Sequence, residues 1–481
     1  MTPHDPTMHD RLHDEDPASG RVALGDAGRA TQRDTMRTGA TYREQLSRCD
    51  GHIWYGDRGY RTATEIVAMQ PQIASIGRYY DFHHEEASST YRDVDGPRSV
   101  VHLAARTRDE LARKGQGLLR IAASYEGMLG RAPDFMGCFF SALQGAYPFF
   151  GKDFEGNARN LALEVQRRDL FVTHSTTEMM GEDGRPIGIR VVGESSAGLE
   201  VAGMRAMATS APVSDLLMIL PNRLAATTAP ESTVAFALPT STRGLHLVAR
   251  RALQGVSPLS LRYEESDALV VMDRVLVPWS HVLVYRDEAR YLGIAKATGG
   301  LQYASLQTAA RSLAKLRSIL ERLREAGELF RSCRSDGFRS FCGRVLRDIE
   351  LLDASYERSI EHGFENDFGL WVPEMRSLEA AKVYFMQSYP SLVQELRRLM
   401  AADLFQLFDG ARMPEVLAGA LGNAWGVPKE DLARRLALTH ELFDLAISSF
   451  GVRQELYEMY KAGSPDRAAR GFMRQFADSE A

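Results

Sequence analysis

This chain of 481 residues has few cysteines and no long apolar run. The four cysteines lie far apart and form no C-x-x-C pair: Cys49, Cys138, Cys333 and Cys342. That spacing suits neither a zinc site nor a disulfide framework, so it predicts a reduced, cytoplasmic protein. No apolar run approaches the roughly 20 residues that span a bilayer. The acidic start, with Asp14–Asp16, lacks the basic and apolar regions of a signal peptide.

The sequence also lacks an excess of positive charge. It contains 58 Lys and Arg residues and 63 Asp and Glu residues, which gives a net charge of -5. Together with the absence of a basic stripe interleaved with aromatics, this argues against a nucleic-acid-binding surface. No G-x-G-x-x-G unit is present, so Rossmann-type binding of NAD(P)H is not expected. The 44% hydrophobic content suits a globular protein with a sizeable core.

The texture of the chain changes three times. Residues 1–40 are polar and predict a disordered tail. Residues 41–170 carry apolar positions at helical spacing, and residues 171–290 hold short β-branched segments bounded by turn residues. Residues 291–481 return to strong helical periodicity. We therefore predict an α+β fold, in which a central β-barrel-like domain lies between an N-terminal helical domain and a C-terminal helical bundle.

Two polar residues stand out in apolar surroundings. Arg131 precedes a proline and an acid in the segment Met128–Phe135, and His174 follows at the end of a predicted strand. A fixed cation and an imidazole suit an enzyme that handles an anionic oxygen. From the residues alone, an Arg131–Asp134 ion pair at a helix end is an open alternative, and a lone histidine in an apolar stretch is more often a core residue.

Six segments together resemble the 4-hydroxyphenylacetate 3-monooxygenases, the oxygenase components of two-component, FADH2-dependent monooxygenases. The resemblance covers roughly residues 42–475. Each segment alone is weakly specific, but their common order gives a strong joint signal. The segments are Met128–Phe135, Asn157–Asn160, Leu170–His174, Gly203–Ala211, Ser266–Asp287 and Phe450–Glu458.

The resemblance implies an acyl-CoA dehydrogenase-like fold and a defined chemistry. Reduced FAD reacts with O2 to give a flavin C4a-hydroperoxide, which hydroxylates an aromatic, phenolic substrate. The site must then exclude water, stabilise developing charge and help to ionise the phenol. A separate NAD(P)H:flavin reductase supplies the FADH2. A homotetramer built through the C-terminal helices is also implied, with no bound metal.

Three residues match the catalytic positions of the family. Arg131 matches its active-site arginine, and His174 matches its active-site histidine. Phe135 stands where phenol hydroxylases of the family usually carry tyrosine, so it keeps the ring and loses the hydroxyl. Neutral drift and an altered substrate both account for Phe135, and the sequence does not decide between them.

Seven further residues match segments that border the flavin in the family. Those on or after predicted strands are Ser175, Thr176, Thr209 and Ser210. Those after a predicted helix are Phe450, Gly451 and Arg453, where Arg453 is placed to reach the FAD pyrophosphate. The competing explanations are side-chain hydrogen bonds in a turn and an ordinary helix cap. Val452 replaces a frequent family glycine in this segment.

Two rival functions remain open. One alternative to the monooxygenase is an acyl-CoA dehydrogenase-like oxidoreductase. The other is a flavin-binding homologue that has lost oxygenase chemistry. An iron–sulfur dehydratase is disfavoured because Cys138 stands alone in its region. The segment Ala249–Ser260 is shorter than the substrate-covering loop of the 4-hydroxyphenylacetate enzymes. A short lid leaves a pocket open, which predicts a larger or carrier-tethered substrate.

Overall fold

The computed structural model describes residues 36–182, 186–221, 229–253, 257–408, 413–461 and 463–476. The predicted tail falls outside these ranges up to residue 35. The first helix begins at Gly39, one residue before the predicted end of that tail. Arg37 is already buried, because its guanidinium pairs with Asp215 at 2.6 Å and 2.9 Å.

Five helices form the N-terminal block. They are α1 Gly39–Ser47, α2 Gln70–Glu85, α3 Arg108–Ser124, α4 Pro133–Ala146 and α5 Gly151–Arg168. Local chemistry explains their ends. The Thr107 side chain accepts from the Glu110 N–H and caps α3. Pro133 opens α4, where its missing N–H costs nothing and its fixed φ favours the helix.

The apolar spacing of residues 63–69 predicts a helix that the structure does not form. Residues 63–69 form two 3-10 turns, because Ile66 between them stays extended. The helix starts only at Gln70, with Pro71 in its first turn. Strand β1 His52–Tyr55 and strand β2 Arg58–Tyr60 also lie in this predicted helical domain. Strand β1 leaves the block and joins the central β-structure.

The middle of the chain forms the predicted strands. Beyond a small hairpin of β3 Thr90–Asp93 and β4 Gly96–Ser99, the strands are β5 Val172–Ser175, β6 Met179–Met180, β7 Pro186–Ile187, β8 Arg190–Ser195, β9 Gly198–Thr209, β10 Leu216–Ile219, β11 Val234–Pro239, β12 Leu245–Ala249, β13 Asp267–Pro278 and β14 Val282–Tyr285. A six-stranded sheet has the order β2-β1-β12-β13-β9-β8, and a four-stranded sheet has the order β14-β11-β10-β5. Alternating burial along β12 and β13 packs one face of the six-stranded sheet into the core.

One short helix lies between β12 and β13, and the other helices follow β14. In chain order, these helices are α6 Pro258–Tyr263, α7 Glu288–Ala297, α8 Gly300–Leu329, α9 Asp336–Glu361, α10 Met375–Leu404, α11 Glu415–Trp425, α12 Lys429–Ala446, α13 Ser449–Tyr460 and α14 Pro465–Phe476. A two-residue pair of strands, β15 Phe364–Glu365 and β16 Trp371–Val372, interrupts them. No helix in the described ranges is long and apolar enough to cross a membrane.

A continuous buried core joins the helical blocks. It contains Tyr42 and Leu129 from the N-terminal block together with Leu313, Leu396 and Phe450 from the C-terminal helices. A second apolar cluster packs α4 and α5 against the four-stranded sheet, and a third fills the space between the two sheets. The turn before α4 therefore lies between the first cluster, which contains Met128 and Leu129, and the second, which contains Met136.

Candidate active site

The turn that precedes α4 is held from outside by two C-terminal helices. It leaves α3 through Gly127, whose φ of 64° favours glycine. Three of its carbonyl groups accept hydrogen bonds from α8 and α13: Gly127 from Arg311 at 3.0 Å, Met128 from Gln454 at 3.0 Å and Gly130 from Tyr457 at 2.9 Å. Arg131 follows directly, so its backbone is fixed by residues more than 180 positions away.

The three predicted catalytic residues come together in one stack. The Arg131 guanidinium carbon lies 4.1 Å from the centre of the Phe135 ring. The Phe135 ring in turn stacks on His174, with 5.3 Å between ring centres and 25° between planes. Arg131 lies two residues before α4 and Phe135 lies in its first turn, so the guanidinium reaches the ring across the start of the helix. A cation and an imidazole thus flank a single aromatic ring.

Arg131 differs from the buried arginines around it. Arg311 and Arg453 each pair with carboxylates, whereas Arg131 donates through Nη1 to the Gly130 carbonyl at 2.9 Å and to the Tyr457 hydroxyl. Among the described residues, its Nη2 and Nε groups have no hydrogen-bond partner, and no carboxylate pairs with its side chain. Guanidinium N–H groups that have no protein partner can bind an anionic oxygen. The arrangement therefore supports a ligand-binding role for Arg131.

The structural alternative for Arg131 fails. Asp134 is fully buried and accepts from the Tyr125 hydroxyl at 2.6 Å. Tyr125 also receives the Gln307 side chain at 3.3 Å, so Asp134 belongs to a polar group behind α4. Burial raises the pKa of Asp134. Asp134 therefore forms its hydrogen bond within the buried core, and it does not form an ion pair with Arg131.

Strand β5 positions His174. It pairs in parallel with β10, and His174 lies opposite Met218. The preceding residue, Thr173, donates through Oγ1 to the Thr209 carbonyl at 2.6 Å and ties β5 to the end of β9. His174 is half-buried, which keeps it reachable from the stack with Phe135.

An acidic pair behind the stack connects Arg131 to the predicted cofactor residues. Glu265 accepts from the Arg131 backbone N–H at 2.7 Å and from Arg453 at 2.9 Å. Asp267 accepts from Arg453 at 3.0 Å and 3.2 Å and from the Thr209 hydroxyl at 2.7 Å. Although burial opposes ionisation, Arg453 holds the pKa of Asp267 at about 2. Arg453 is thus committed to two carboxylates, and its contact with a pyrophosphate stays a prediction.

The hydroxyl residues of the predicted cofactor site lie near one another. Ser175 donates to the Met207 carbonyl at 2.8 Å, and Thr176 is the next, half-buried residue. Ser210 adopts a left-handed φ of 65°, a conformation that costs about 1 kcal/mol or more for a residue other than glycine. Its hydroxyl accepts from Gln72 at 2.9 Å. Such strain often marks a functional site, and the flavin contacts of these residues stay predictions.

Phe450 and Gly451 lie in the first turn of α13. The Phe450 side chain is fully buried in the main core. A Cβ atom at Gly451 would lie 2.3 Å from the Asp444 carbonyl oxygen, so only glycine allows α13 to approach α12 this closely. The observed role of both residues is to seat α13, which carries Arg453 and Tyr457. Their predicted contact with a flavin is untested.

Sequence reasoning missed Glu265, Asp267 and the contact of Tyr457 with Arg131. A local signal for the acids does exist, because Glu264, Glu265 and Asp267 form an acidic run shortly after two arginines. Nothing in the local sequence of Tyr457 indicates its partner 326 positions earlier. In the described part of the chain, no cluster of three or more His, Cys, Asp or Glu residues is suited to a metal ion.

Helices on both sides of a two-sheet β-domain, with an uncompensated arginine at their junction, define a flavoenzyme-like protein of acyl-CoA dehydrogenase-like fold. Two family models, described as 4-hydroxyphenylacetate 3-hydroxylase N terminal and C terminal, match residues 38–284 and 293–481. The chain belongs to this family. Membership confirms the predicted fold class, the use of FAD and the enzyme class of an FADH2-dependent aromatic monooxygenase.

Characterised relatives match along nearly their whole length. The 4-hydroxyphenylacetate 3-monooxygenase oxygenase component of Thermus thermophilus is 31% identical, with 90% of this chain and 92% of the relative covered. The 4-nitrophenol 2-monooxygenase oxygenase component of a Rhodococcus species is 26% identical, with 91% of each covered. Oxygenase components act with a separate reductase and on small aromatic molecules, which confirms that part of the predicted partners.

Solved structures of related proteins share the fold of this chain. The oxygenase component HpaB of 4-hydroxyphenylacetate 3-monooxygenase, complexed with FAD and 4-hydroxyphenylacetate, matches with a TM-score of 0.86 and 30% identity. The match covers 92% of this chain and 95% of that one. A 4-hydroxybutyryl-CoA dehydratase from N. maritimus matches with a TM-score of 0.79 at 15% identity over 92% of each chain, which shows a shared fold alone.

The residues present fit a flavin. The isoalloxazine ring carries carbonyl oxygens and ring nitrogens that accept hydrogen bonds. Ser266 offers a buried hydroxyl without a hydrogen-bond partner in the described ranges, which can donate to such an acceptor. The Ser266 carbonyl also accepts from the Ser210 N–H at 2.6 Å, so this hydroxyl lies beside the strained turn. Buried polar groups without partners are rare in proteins and indicate a ligand or water.

Proposed function

We propose that this chain is the oxygenase component of a two-component monooxygenase that hydroxylates a phenolic substrate, with Arg131 and His174 acting on the phenol oxygen. The uncompensated charge of Arg131 carries this proposal. A guanidinium without a carboxylate stabilises an anionic oxygen far better than one already neutralised, because the low-dielectric surroundings strengthen the attraction.

We propose a role for each member of the stack. Reduced FAD, when bound, would supply the electrophilic oxygen from O2. An ionised phenol is the better nucleophile toward it. His174 accepts the phenol proton, since an imidazole exchanges protons near neutral pH. Arg131 stabilises the resulting phenolate. Phe135 supports both groups with an apolar ring and excludes water from the space between them.

The flavin contacts remain those of the family comparison. We propose that Ser175, Thr176, Thr209 and Ser210 border the isoalloxazine ring from the ends of β5 and β9. Phe450, Gly451 and Arg453 contribute from the start of α13. The proximity of these two groups supports the assignment, because Asp267 joins Thr209 to Arg453 through hydrogen bonds of 2.7 Å and 3.0 Å.

We also propose a larger or carrier-tethered substrate, because the short segment after β12 borders a cavity. A cavity of about 720 Å³ lies along the segment after β12 and does not include the stack. Ala252, Leu253 and Leu261 line one side of it, and Tyr55 lines the other. Residues 254–256 of the short predicted lid lie outside the described ranges. Comparing turnover of a free phenol with that of its carrier-bound thioester tests this proposal; equal turnover contradicts tethering.

We propose assembly into a homotetramer through the C-terminal helices. Large apolar side chains are exposed there, with Phe405 90%, Val416 79% and Met473 68% exposed. Contiguous exposed apolar surface marks protein interfaces, and we propose that these side chains contact neighbouring subunits. Light scattering after chromatography measures the assembly directly, and a Val416→Glu variant should shift it toward smaller species. A cytoplasmic location also stays a prediction.

An oxygen-labelling experiment tests the activity. The protein is mixed with FADH2, ¹⁸O2 and a panel of phenols, and products are identified by mass spectrometry while H2O2 is measured separately. We expect one labelled oxygen atom in the product. His174→Ala and Arg131→Gln should divert flavin oxidation to H2O2, and Arg339→Gln, on an exposed surface of α9, should not.

The same experiment separates the alternatives. Formation of H2O2 alone with every phenol would identify a flavin-binding homologue without oxygenase chemistry. Oxidation of an acyl thioester in place of a phenol would identify a dehydrogenase-like enzyme. Full coupling in both the Arg131 and His174 variants would show that the assignment of the site is wrong.

A further inference from the structure

The helix α13 contacts the catalytic turn through a phenol. The Tyr457 hydroxyl donates to the Gly130 carbonyl at 2.9 Å and accepts from Nη1 of Arg131. One hydroxyl group therefore joins the backbone of the turn to the guanidinium that the turn carries. Because Arg131 also donates to the Gly130 carbonyl at 2.9 Å, the three groups form a closed ring of hydrogen bonds.

The approach of Tyr457 depends on the absence of a side chain at residue 130. A Cβ atom there would lie 2.5 Å from the Tyr457 ring, well inside contact distance. Glycine at this position thus admits the aromatic ring against the turn, and its conformational freedom is not the reason for it. The guanidinium carbon of Arg131 lies 5.4 Å from the ring centre.

A phenol at this position holds the guanidinium without neutralising it. Burial raises the pKa of Tyr457, so the hydroxyl stays protonated and uncharged. Arg311 and Arg453 also lie near the ring, at 5.4 Å and 5.6 Å from its centre, and each has a carboxylate partner. Arg131 alone of these three is held by a neutral group, and its Nη2 and Nε remain available.

We propose that Tyr457 is a positioning residue for Arg131: its hydroxyl orients the guanidinium toward an anionic substrate oxygen while leaving the positive charge at full strength. This inference rests on the proposed function of Arg131. It adds a residue from the C-terminal bundle to the site. Tyr457 acts through Arg131 and is not itself assigned a contact with substrate or cofactor.

A chromophoric phenol tests the proposal without turnover. The phenolate of 4-nitrophenol absorbs visible light and its neutral form does not, so the bound ionisation state is read directly with the oxidised, FAD-loaded protein. Wild type should increase the ratio of phenolate to phenol relative to free solution. Tyr457→Phe should reduce that ratio by about tenfold, as expected for a misplaced charge-assisted hydrogen bond.

A matched control uses a second tyrosine in the same region. The Tyr389 hydroxyl is buried and has no hydrogen-bond partner in the described ranges. Tyr389→Phe should therefore leave the bound phenolate ratio unchanged. An equal loss of phenolate in the Tyr389 and Tyr457 variants would overturn the proposal. So would a Tyr457→Phe protein that ionises the probe as wild type does.

A double-mutant cycle on the flavin-free protein decides the case independently of any substrate. Tyr457→Phe, Arg131→Met and the double variant are compared by chemical denaturation. A direct hydrogen bond predicts non-additivity of about fivefold in the unfolding equilibrium constant, and additive effects contradict the proposal. If wild type fails to ionise 4-nitrophenol but the cycle shows coupling, the proposed phenol chemistry fails while the Tyr457–Arg131 interaction stands.

Discussion

Replacing Glu458 by glutamine should destabilise the junction of α8 and α13. The Glu458 carboxylate is fully buried and binds three cations: Arg311 at 2.7 Å and 2.8 Å, Lys315, and Lys461 at 2.7 Å. Although burial opposes ionisation, Arg311 and Lys315 hold the pKa of Glu458 well below its usual range. Glutamine keeps the shape and removes the charge, which leaves buried cations uncompensated.

The expected loss is about 4 kcal/mol, the middle of the range for breaking a buried ion pair. For a cooperative unit of roughly 400 residues this corresponds to a fall of about 5 °C in Tm. Differential scanning calorimetry measures the change. Glu455→Gln is the control on the same helix, because Glu455 pairs with a partly exposed Arg397 and should cost less than about 1 kcal/mol.

The pH dependence gives a sharper test. Burial lowers the pKa of Lys315 to about 8 and that of Lys461 to about 7, against the attraction of Glu458. Without the carboxylate both values fall further, so the folded variant holds fewer protons than folded wild type near pH 7 to 8. The difference in unfolding free energy between wild type and the Glu458→Gln variant must then narrow as pH rises from about 7 to 8. A gap that is constant, or one that widens with pH, would refute the reasoning.

Three other expectations are accessible to simple measurements. Lys114 is buried and donates only to uncharged groups, and burial lowers its pKa to about 8. Between pH 8 and 10.5 the unfolded chain retains a proton that the folded chain has lost, so wild type should gain up to about 3 kcal/mol relative to Lys114→Met, measured by urea denaturation. Phe135→Tyr should change the preference among a panel of phenols by placing a hydroxyl between the cation and the imidazole, and an unchanged preference supports neutral drift. Asp444 accepts from the Ser257 N–H at 3.0 Å and hydroxyl at 2.6 Å, so Asp444→Ala should loosen the start of α6 and speed limited proteolysis there, whereas an unchanged cleavage rate contradicts this role.

Local patterns predicted the central strands and the long helices, because alternation and helical spacing depend only on neighbouring residues. The hairpin of β1 and β2 escaped prediction for the opposite reason. Its four-residue strand pairs in parallel with β12, so that Trp54 lies opposite Val248. No local signal specifies a parallel partner almost 200 residues away. The two 3-10 turns before α2 escaped for a related reason, since tertiary packing overrides the helical spacing of residues 63–69.

The candidate site likewise has a part that the sequence predicts and a part that it does not. Family resemblance identified Arg131, Phe135 and His174, and the structure stacks them. The resemblance did not reveal how the stack is supported, because Glu265, Gln454 and Tyr457 contact the turn from distant segments. Polar contacts of this kind are set by the packing of whole helices, which single-sequence patterns do not specify.

The position of Asp134 explains why the site needs this distant support. In a simpler turn the acid of the motif would pair with Arg131 and hold it in place. Here Asp134 is turned to the core, where Tyr125 donates to it at 2.6 Å. Arg131 keeps its charge for a ligand but loses the local anchor. A neutral hydroxyl from α13 and the aromatic face of Phe135 replace that anchor, so orientation and charge are supplied by different parts of the chain. Pairing Arg131 with a carboxylate would orient it equally well and would weaken its hold on an anionic oxygen.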